Sequence, residues 1–157
     1  MIETSPVFEK IKKLLDDNGI TYQLFEHEPV FTSEQAARIR DTNIYQGAKA
    51  MIFSADGLPI LIVVPGNRRV DTKTFKQLYK IEDLRLLSAD EVKKLTGLEV
   101  GAIPPFGNVM GLPTYLDQGI VENESIVFSA GAHTKSIQMK VKDFITLVQP
   151  TINNLSI

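Results

Sequence analysis

Apolar residues recur at helical spacing near the start of the chain. They are Val7, Phe8, Ile11, Leu14 and Leu15. Ser5 and Pro6 stand before them as an N-cap and a first helical residue, and Gly19 ends the pattern. The spacing therefore predicts an amphipathic helix between Pro6 and Gly19.

Capping residues and helical spacing predict four further helices. Thr32 with Gln35 and Ser88 with Glu91 have the spacing of capping boxes, and Asp71 is a third N-cap. The predicted helices run from Thr32 to about Arg40, from Asp71 to Tyr79, from Ser88 to near Gly97, and from Val141 to Val148.

Short apolar runs bounded by turn residues predict the strands. Ala48–Ser54 and Pro59–Val64 flank Asp56 and Gly57, which is the pattern of a β-hairpin. The other predicted strands are Tyr22–Glu26, Leu84–Leu87, Thr114–Leu116, Ile126–Ser129 and Ser136–Met139. Without a repeat or a linker, this order predicts one α/β domain over residues 1–157, with a mixed, largely antiparallel β-sheet flanked by helices.

The composition fits one globular domain and excludes several kinds of site. The 157 residues are 43% apolar and include no cysteine, which rules out a thiolate nucleophile and a cysteine zinc site. Two histidines are too few for a histidine-rich metal centre, and we expect no metal and no cofactor. P-loop, GxGxxG, HExxH and EF-hand patterns are also missing.

The charge balance and the hydropathy limit the partners. A net charge of −2 is too small for nucleic-acid binding by bulk charge, so any such contact must be local. The N-terminal stretch lacks the apolar core of a signal peptide, and the aliphatic run Ile60–Val64 is far shorter than a membrane span. We therefore expect a cytoplasmic protein that binds neither DNA nor a membrane.

Lys49 is unusual because it begins an otherwise apolar strand, AKAMIF. One interpretation is an edge lysine that discourages strand pairing, which is the commoner role. The other is an ammonium group at the rim of a pocket, placed to meet a phosphate or a carboxylate. The spacing alone favours the first interpretation.

A loop of glycine, proline and small residues follows at 101–107. Its backbone N–H groups at Gly101, Ala102 and Ile103 are candidate donors to an anion or to a developing oxyanion, with Pro104 and Pro105 fixing the geometry. A tight surface connection is the alternative, since glycine and proline alone are a weak signal.

Two other segments carry candidate side chains. Ser129, Gly131 and His133 follow a predicted strand, and His133 is either a ligand contact or an exposed loop histidine. No GxSxG elbow accompanies the serine, so a Ser/His/Asp hydrolase is not supported. Arg68 and Arg69 suit phosphate binding, or they are solvated loop charges with Arg69 pairing an aspartate. His27 is expected to be structural or merely exposed.

These segments together resemble the YbaK family of aminoacyl-tRNA editing domains, which is related to the insertion domain of bacterial prolyl-tRNA synthetases. The matching pieces are HEPVFTSEQAA (27–37), GAKAMIF (47–53), VVPGNRRVD (63–71), LLSADEVKKLTGLEVGAIPPFG (86–107) and IVFSAG (126–131). The ordered set, with the lysine at 49 and the Gly-x-x-x-Pro loop at 101–105, extends along nearly the whole chain.

The resemblance implies hydrolysis of the ester that joins a wrong amino acid to the terminal adenosine of a tRNA. It implies that Lys49 binds the tRNA 3′ end and that the loop 101–105 shapes the amino-acid pocket and offers backbone donors. It further places Phe31, Thr32 and Ser33 in the pocket lining, and matches Ser129, Gly131 and His133 to a third pocket segment. No side-chain nucleophile is needed for an ester that is already activated.

The expected partner is a mischarged tRNA, most simply tRNA-Pro carrying a small wrong amino acid. Lys49, Arg68 and Arg69 are the three candidate phosphate contacts, so we expect weak tRNA binding, helped by prolyl-tRNA synthetase or an elongation factor. A competing hypothesis is a non-catalytic module that binds tRNA or a synthetase through the same pocket. A general small-ester hydrolase is least favoured, because a nucleophile–base pair is missing.

Overall fold

The computed structural model describes residues 5–157. Its helices are α1 (Pro6–Asp17), α2 (Ser33–Arg40), α3 (Thr72–Tyr79), α4 (Ala89–Thr96), α5 (Gln118–Val121) and α6 (Val141–Val148). Its strands are β1 (Tyr22–Glu26), β2 (Ala48–Ala55), β3 (Leu58–Pro65), β4 (Leu84–Leu86), β5 (Thr114–Asp117), β6 (Ser125–Ala132), β7 (Lys135–Lys140) and β8 (Thr151–Asn153). Single 3₁₀ turns occupy Ile44–Gln46 and Gly107–Val109.

The predicted N-caps are present. The side-chain oxygens of Ser5, Thr32 and Asp71 each accept a hydrogen bond from the backbone N–H three residues later. Ser88 and Glu91 form the reciprocal capping box at α4. At α2 the reciprocal bond differs, because the Gln35 side chain accepts from the N–H of Phe31 at 3.0 Å. This bond ties the segment before α2 to the helix.

The strands form a five-stranded mixed sheet in the order β4-β2-β3-β5-β8 and a three-stranded antiparallel sheet in the order β1-β7-β6. In the larger sheet β3, β5 and β8 run parallel to one another, and β2 is antiparallel to β3 and β4. A parallel bridge between Gly47 and Val127 links the two sheets. The α/β class with a mixed sheet is therefore confirmed, with the strands divided between two sheets.

The burial of the β2–β3 hairpin explains why its two strands are continuous apolar runs. Asp56 and Gly57 both have positive φ, +49° and +88°, as a tight two-residue turn with the right twist requires. Beyond the turn β3 is buried on both faces. Leu61 and Val63 enter the main core with α1 and α6, while Ile60 and Ile62 pack with Phe75 of α3 in a second cluster.

Three elements differ from the sequence-based expectation. Strand β6 continues beyond the predicted end at Ser129 to Ala132, so Gly131 lies within a strand rather than after it, and the pairing with β7 is irregular between Ser129 and Ala132. Helix α5 and strand β8 were not predicted. Helix α5 is a single turn and strand β8 has three residues, so both are too short to show a periodic pattern of apolar residues.

Within residues 5–157, no helix has both the length and the apolar character needed to cross a membrane. The same residues contain no group of three or more His, Asp or Glu side chains placed to hold a metal ion.

Candidate active site

A pocket of about 380 Å³ lies between α2, the start of β2 and the loop after α4. Its volume falls in the range of about 300–1,000 Å³ that is typical of small-ligand sites. The lining residues are Val30, Phe31, Thr32, Ser33, Glu34, Ala36, Ala37, Arg40, Thr42, Asn43, Ile44, Gly47, Ala48, Lys49, Ala50, Met51, Gly66, Val100, Gly101, Ile103 and Ser129. The wall is thus built by segments distant in sequence.

Seven of the residues singled out from the sequence come together here: Phe31, Thr32, Ser33, Lys49, Gly101, Ile103 and Ser129. Seven others do not line the pocket: Ala102, Pro104, Pro105, Gly131, His133, Arg68 and Arg69. The second group divides into residues that support the pocket from behind and residues that flank it.

Lys49 is half-buried in the pocket wall, in the part of β2 that pairs with β3 opposite Val64. Strand β4 pairs only with Phe53–Ala55 and does not reach Lys49, whereas Gly47, two residues before it, is bridged to Val127 of β6. Lys49 Nζ donates a hydrogen bond of 2.6 Å to the backbone carbonyl of Arg68. The position of this lysine therefore agrees better with the rim of a pocket than with an open strand edge.

The environment of Lys49 favours a negative ligand. Burial lowers the pKa of its ammonium group, and the charge of Glu34 partly opposes this shift. Glu34 also lines the pocket but makes no ion pair with Lys49 among the described residues. An anion close to Nζ would recover part of the solvation that burial removes.

Phe31, Thr32 and Ser33 form the side of the pocket at the start of α2. Thr32 is the N-cap, so its hydroxyl accepts from the N–H of Gln35 and is held in place. The ring of Phe31 is 67% exposed, and one side of it meets the imidazole of His133 at a centroid distance of 4.7 Å. An exposed ring at a pocket mouth can stack with a planar ligand.

The loop 101–105 lines the pocket with two of the three residues whose N–H groups are candidate donors. Gly101 has φ +90°, which favours glycine, and the N–H groups of Gly101 and Ile103 have no protein acceptor among the described residues. Ala102 must be removed from the set, because it is buried and its N–H donates to the carbonyl of Glu99 at 3.0 Å. Pro104 and Pro105 are buried behind the wall.

Gly131 supports this loop from β6 instead of contacting the pocket. Its N–H donates to the carbonyl of Ala102 at 3.0 Å. A Cβ on Gly131 would lie 2.7 Å from Oγ of Ser5 and 3.3 Å from the backbone nitrogen of Phe8. The expected substrate contact at Gly131 is therefore corrected to a close approach between β6 and the start of α1.

His133 is buried, which corrects the expectation of an exposed loop residue, and it lies outside the pocket lining. It is 7% exposed, with Nδ1 3.1 Å from the carbonyl of Val30 and Nε2 3.2 Å from the carboxylate of Glu99. Together with its contact to Phe31, these bonds connect the segment before α2 to the loop that contains Gly101. His133 holds two walls of the pocket together.

The two loop arginines lie outside the main pocket. Arg68 is exposed and lines a neighbouring polar cavity of about 330 Å³, and its carbonyl accepts from Lys49. Arg69 is also exposed and pairs through its backbone with Ile157. The suggested ion pair of Arg69 with Asp71 is absent from the described residues. Both side chains are free to meet a ligand that extends out of the pocket.

Arg40, at the end of α2, is a pocket residue that the sequence analysis missed. It is 8% exposed, and burial lowers its pKa to about 10. Nε donates to Oγ of Ser136 at 2.9 Å, and Nη2 donates to Oγ of Ser129 at 3.3 Å. A signal was available, because Arg40 follows the buried Ala36 by four residues and so shares its helix face.

His27 is structural, as expected from the sequence. Its Nδ1 lies 2.7 Å from the carbonyl of Glu28 and its Nε2 lies 2.7 Å from Oγ of Ser136. A carbonyl can only accept, so Nδ1 carries a proton, and in a singly protonated ring Nε2 is then the acceptor for the Ser136 hydroxyl. The Ser136 oxygen is thereby oriented to accept from Arg40.

The comparisons with known proteins agree on one family. The family described as "Aminoacyl-tRNA editing domain" matches residues 27–147. The Escherichia coli protein named Multifunctional Ser/Thr-tRNA deacylase ProXp-y is 31% identical, and the alignment covers 98% of this chain and 95% of that protein. The Prolyl-tRNA editing protein ProX of Acetoanaerobium sticklandii is 25% identical over 88% of each chain.

Two further similarities concern a larger enzyme and a solved structure. A proline–tRNA ligase of Caldicellulosiruptor bescii is 33% identical over 68% of this chain but only 19% of its own length. The crystal structure of a candidate trans-editing enzyme for prolyl-tRNA synthetase superposes with a TM-score of 0.85 at 24% identity, covering 99% of both chains. This superposition confirms the fold.

Proposed function

The chain belongs to the family of aminoacyl-tRNA editing domains, and on that premise we propose that it is an aminoacyl-tRNA deacylase acting in trans on mischarged tRNA. The relatives named as a deacylase and as an editing protein align with nearly the whole of this chain, which favours the enzyme over a non-catalytic binding module. The similarity to a segment of a proline–tRNA ligase makes tRNA-Pro the first tRNA to test.

The observation that carries the proposal is the combination within one pocket of a half-buried ammonium group and two unengaged backbone N–H groups. The ammonium belongs to Lys49, and the N–H groups belong to Gly101 and Ile103. A cation and oriented amide donors are what an aminoacyl ester beside a phosphodiester requires for binding and hydrolysis.

Lys49 binds a phosphate of the tRNA 3′ end in this proposal. Its Nζ is held by the carbonyl of Arg68 and keeps further protons for a phosphate oxygen. Arg68 and Arg69 lie on the same loop and extend the positive charge outward along the single-stranded end. Phe31, at the mouth, offers its exposed face to the terminal adenine.

The loop 101–105 stabilises the tetrahedral intermediate. A water molecule attacks the ester carbonyl carbon, and its proton passes, directly or through the neighbouring hydroxyl of the terminal ribose, to the ribose oxygen that leaves. The carbonyl oxygen becomes negative and accepts from the N–H groups of Gly101 and Ile103. The bond to the ribose oxygen then breaks, that oxygen takes a proton, and free amino acid and tRNA leave after hydrolysis. The protein supplies position and preset donors, and no side-chain nucleophile enters.

The substrate is a small wrong amino acid on tRNA. The pocket volume and the small side chains of Ala36, Ala37 and Ala50 along its wall fit a compact acyl group. The Escherichia coli relative is named for seryl and threonyl esters, so both belong in the first panel. With three candidate phosphate contacts, binding is weak, and we propose that prolyl-tRNA synthetase or an elongation factor helps deliver the tRNA.

The test is single-turnover deacylation of tRNA-Pro charged separately with alanine, serine, cysteine, threonine and proline. Wild type is compared with Lys49→Ala, and with Lys13→Ala as a control that removes a positive charge from the exposed face of α1. We expect selective hydrolysis of at least one misacylated species by wild type and by the control, with prolyl-tRNA-Pro spared. Hydrolysis of none of these esters, or equal activity of Lys49→Ala, would contradict the proposal.

A further inference from the structure

Arg40 is a buried cation without a charged partner. No carboxylate among the described residues lies within ion-pair distance of its guanidinium, and its two hydrogen-bond acceptors in this part of the chain are the neutral hydroxyls of Ser129 and Ser136. Removing an ion from water costs several kcal/mol unless charge or hydrogen bonds replace the lost solvation. Two hydroxyl acceptors leave three of the five guanidinium N–H donors without an acceptor in residues 5–157.

The guanidinium of Arg40 borders the pocket. Arg40 and Ser129 both line it, whereas Ser136 does not and anchors the guanidinium from behind. Nη1 lies on the side of Gly47, where a Cβ would come within 3.8 Å of it. Gly47 also lines the pocket, so Nη1 borders the space in which a ligand sits.

The orientation of the guanidinium is fixed from outside the pocket. Ser136 is fully buried, its Oγ lies 2.7 Å from Nε2 of His27, and it accepts from Nε of Arg40. His27 is held in turn by the carbonyl of Glu28. This chain of bonds costs no reorganisation when a ligand arrives, which is the arrangement expected of a binding group rather than of a surface charge.

From this arrangement, and resting on the deacylase function proposed above, we infer that Arg40 is a substrate-binding residue whose guanidinium donates to an oxygen of the aminoacyl group. A tRNA phosphate is less favoured as its acceptor, because Arg40 is only 8% exposed while the polynucleotide must remain at the pocket mouth. Within the aminoacyl group, the acceptor is either the ester carbonyl oxygen or a side-chain hydroxyl. Both present the same chemistry, a compact oxygen acceptor.

The first experiment compares wild type, Arg40→Gln and Arg40→Lys with Arg38→Gln as the matched control. Arg38 is on the same helix but is exposed and does not line the pocket. The single-turnover rate at saturating enzyme is measured on seryl- and alanyl-tRNA-Pro, and the Kd is measured for uncharged tRNA-Pro. We expect Arg40→Gln to lower the rate roughly 10- to 100-fold, as for loss of a charge-assisted hydrogen bond, with the Kd within about twofold of wild type.

The two ester substrates distinguish the acceptor oxygens. An equal loss on both assigns the ester carbonyl, and a loss at least about tenfold greater on the seryl ester assigns the side-chain hydroxyl. An unchanged rate would overturn the inference. Weaker binding of uncharged tRNA with an unchanged rate at saturating enzyme would also overturn it, because that result would mean that Arg40 binds a phosphate.

Two further measurements separate the role of Arg40 from its effect on folding and from the proposed deacylase activity. Ser136→Ala keeps Arg40 but removes the hydroxyl that accepts from its Nε. We therefore expect a smaller loss of rate than for Arg40→Gln, in a variant that a thermal melt shows to be folded. If wild type hydrolyses no ester, the Kd of a serine amide of 3′-amino-3′-deoxyadenosine is compared between wild type and Arg40→Gln. Weaker binding by the variant supports the inference even then, and equal binding overturns it.

Discussion

Replacing Gly101 with alanine tests whether the loop 101–105 is a functional wall of the pocket. Gly101 has φ +90°, where an L-residue is strained by about 1–3 kcal/mol. The new Cβ would also lie 3.2 Å from Cε1 of His133. That separation is shorter than an ordinary van der Waals contact, so the ring or the loop must move by a few tenths of an ångström.

Gly97→Ala is the matched control for this perturbation. Gly97 also has positive φ, +76°, but a Cβ there has no atom within 4 Å. In a protein of 157 residues, 1 kcal/mol lowers the Tm by about 2–4 °C. Backbone strain of about 1–3 kcal/mol therefore predicts a fall of about 2–12 °C for each variant. Any difference in activity between the two variants then reflects the displacement at His133 and not the loss of stability.

The assay is the single-turnover deacylation rate, measured well below both melting temperatures. Displacing a positioning group by about 1 Å can cost about 100-fold in rate, so a smaller shift of the loop predicts a loss of about 10-fold for Gly101→Ala. Gly97→Ala should keep the wild-type rate within about twofold. Equal rates for the two variants at comparable Tm would refute the reasoning that the loop donates to the substrate.

Three further predictions concern charge. Lys49→Ala should lower kcat/KM about 10- to 100-fold with a Tm close to that of wild type, whereas Lys13→Ala should change neither quantity. Full activity of the Lys49→Ala variant would show that Lys49 has no role in the reaction. The logarithm of tRNA affinity should fall with the logarithm of salt concentration at a slope of about −2, from three single-strand phosphate contacts, and a slope steeper than about −5 would contradict that contact set. The bidentate pair with Arg85 lowers the pKa of Glu91 to about 2. The Glu91 carboxylate therefore takes up a proton more readily in the unfolded chain than in the folded protein. Its contribution to the stability of the folded protein is lost as the pH falls from 4.5 toward 2. In acid titrations followed by circular dichroism, Glu91→Gln should flatten that part of the stability curve, and an unaltered curve would show that the pair contributes nothing.

The helices and strands with strong local signals could be predicted from the sequence. Ser88 and Glu91 begin α4 because their side chains satisfy each other's backbone N–H groups, a purely local effect. The Asp56-Gly57 turn likewise needs only its own two residues. The sequence pattern predicts that β6 ends at Ser129, because Gly131 and its small neighbours resemble a loop. Pairing with β7 and the close approach of α1 keep these residues in the strand.

The candidate site could be predicted only in part, because burial decides which polar residues face the pocket. Lys49 was recognisable as a charge inside an apolar run. Arg40 carried only a weak signal, its position on the helix face of Ala36, since an arginine near the end of a charged helix is usually solvated, and its burial beside Ser129 of β6 and Ser136 of β7 depends on the tertiary structure. The burial of His133 could not be predicted from local sequence, because its two hydrogen-bond partners, Val30 and Glu99, are remote in sequence.

The central claim is that this pocket hydrolyses the ester of a mischarged tRNA. The most direct measurement is the release of free amino acid from seryl-, threonyl-, alanyl- and cysteinyl-tRNA-Pro under excess enzyme, with prolyl-tRNA-Pro beside them. The account predicts first-order release from at least one misacylated tRNA, with the tRNA chain left intact and able to be recharged, and no release above background from prolyl-tRNA-Pro. Background rates for all of the misacylated species, with a correctly folded protein, would contradict it.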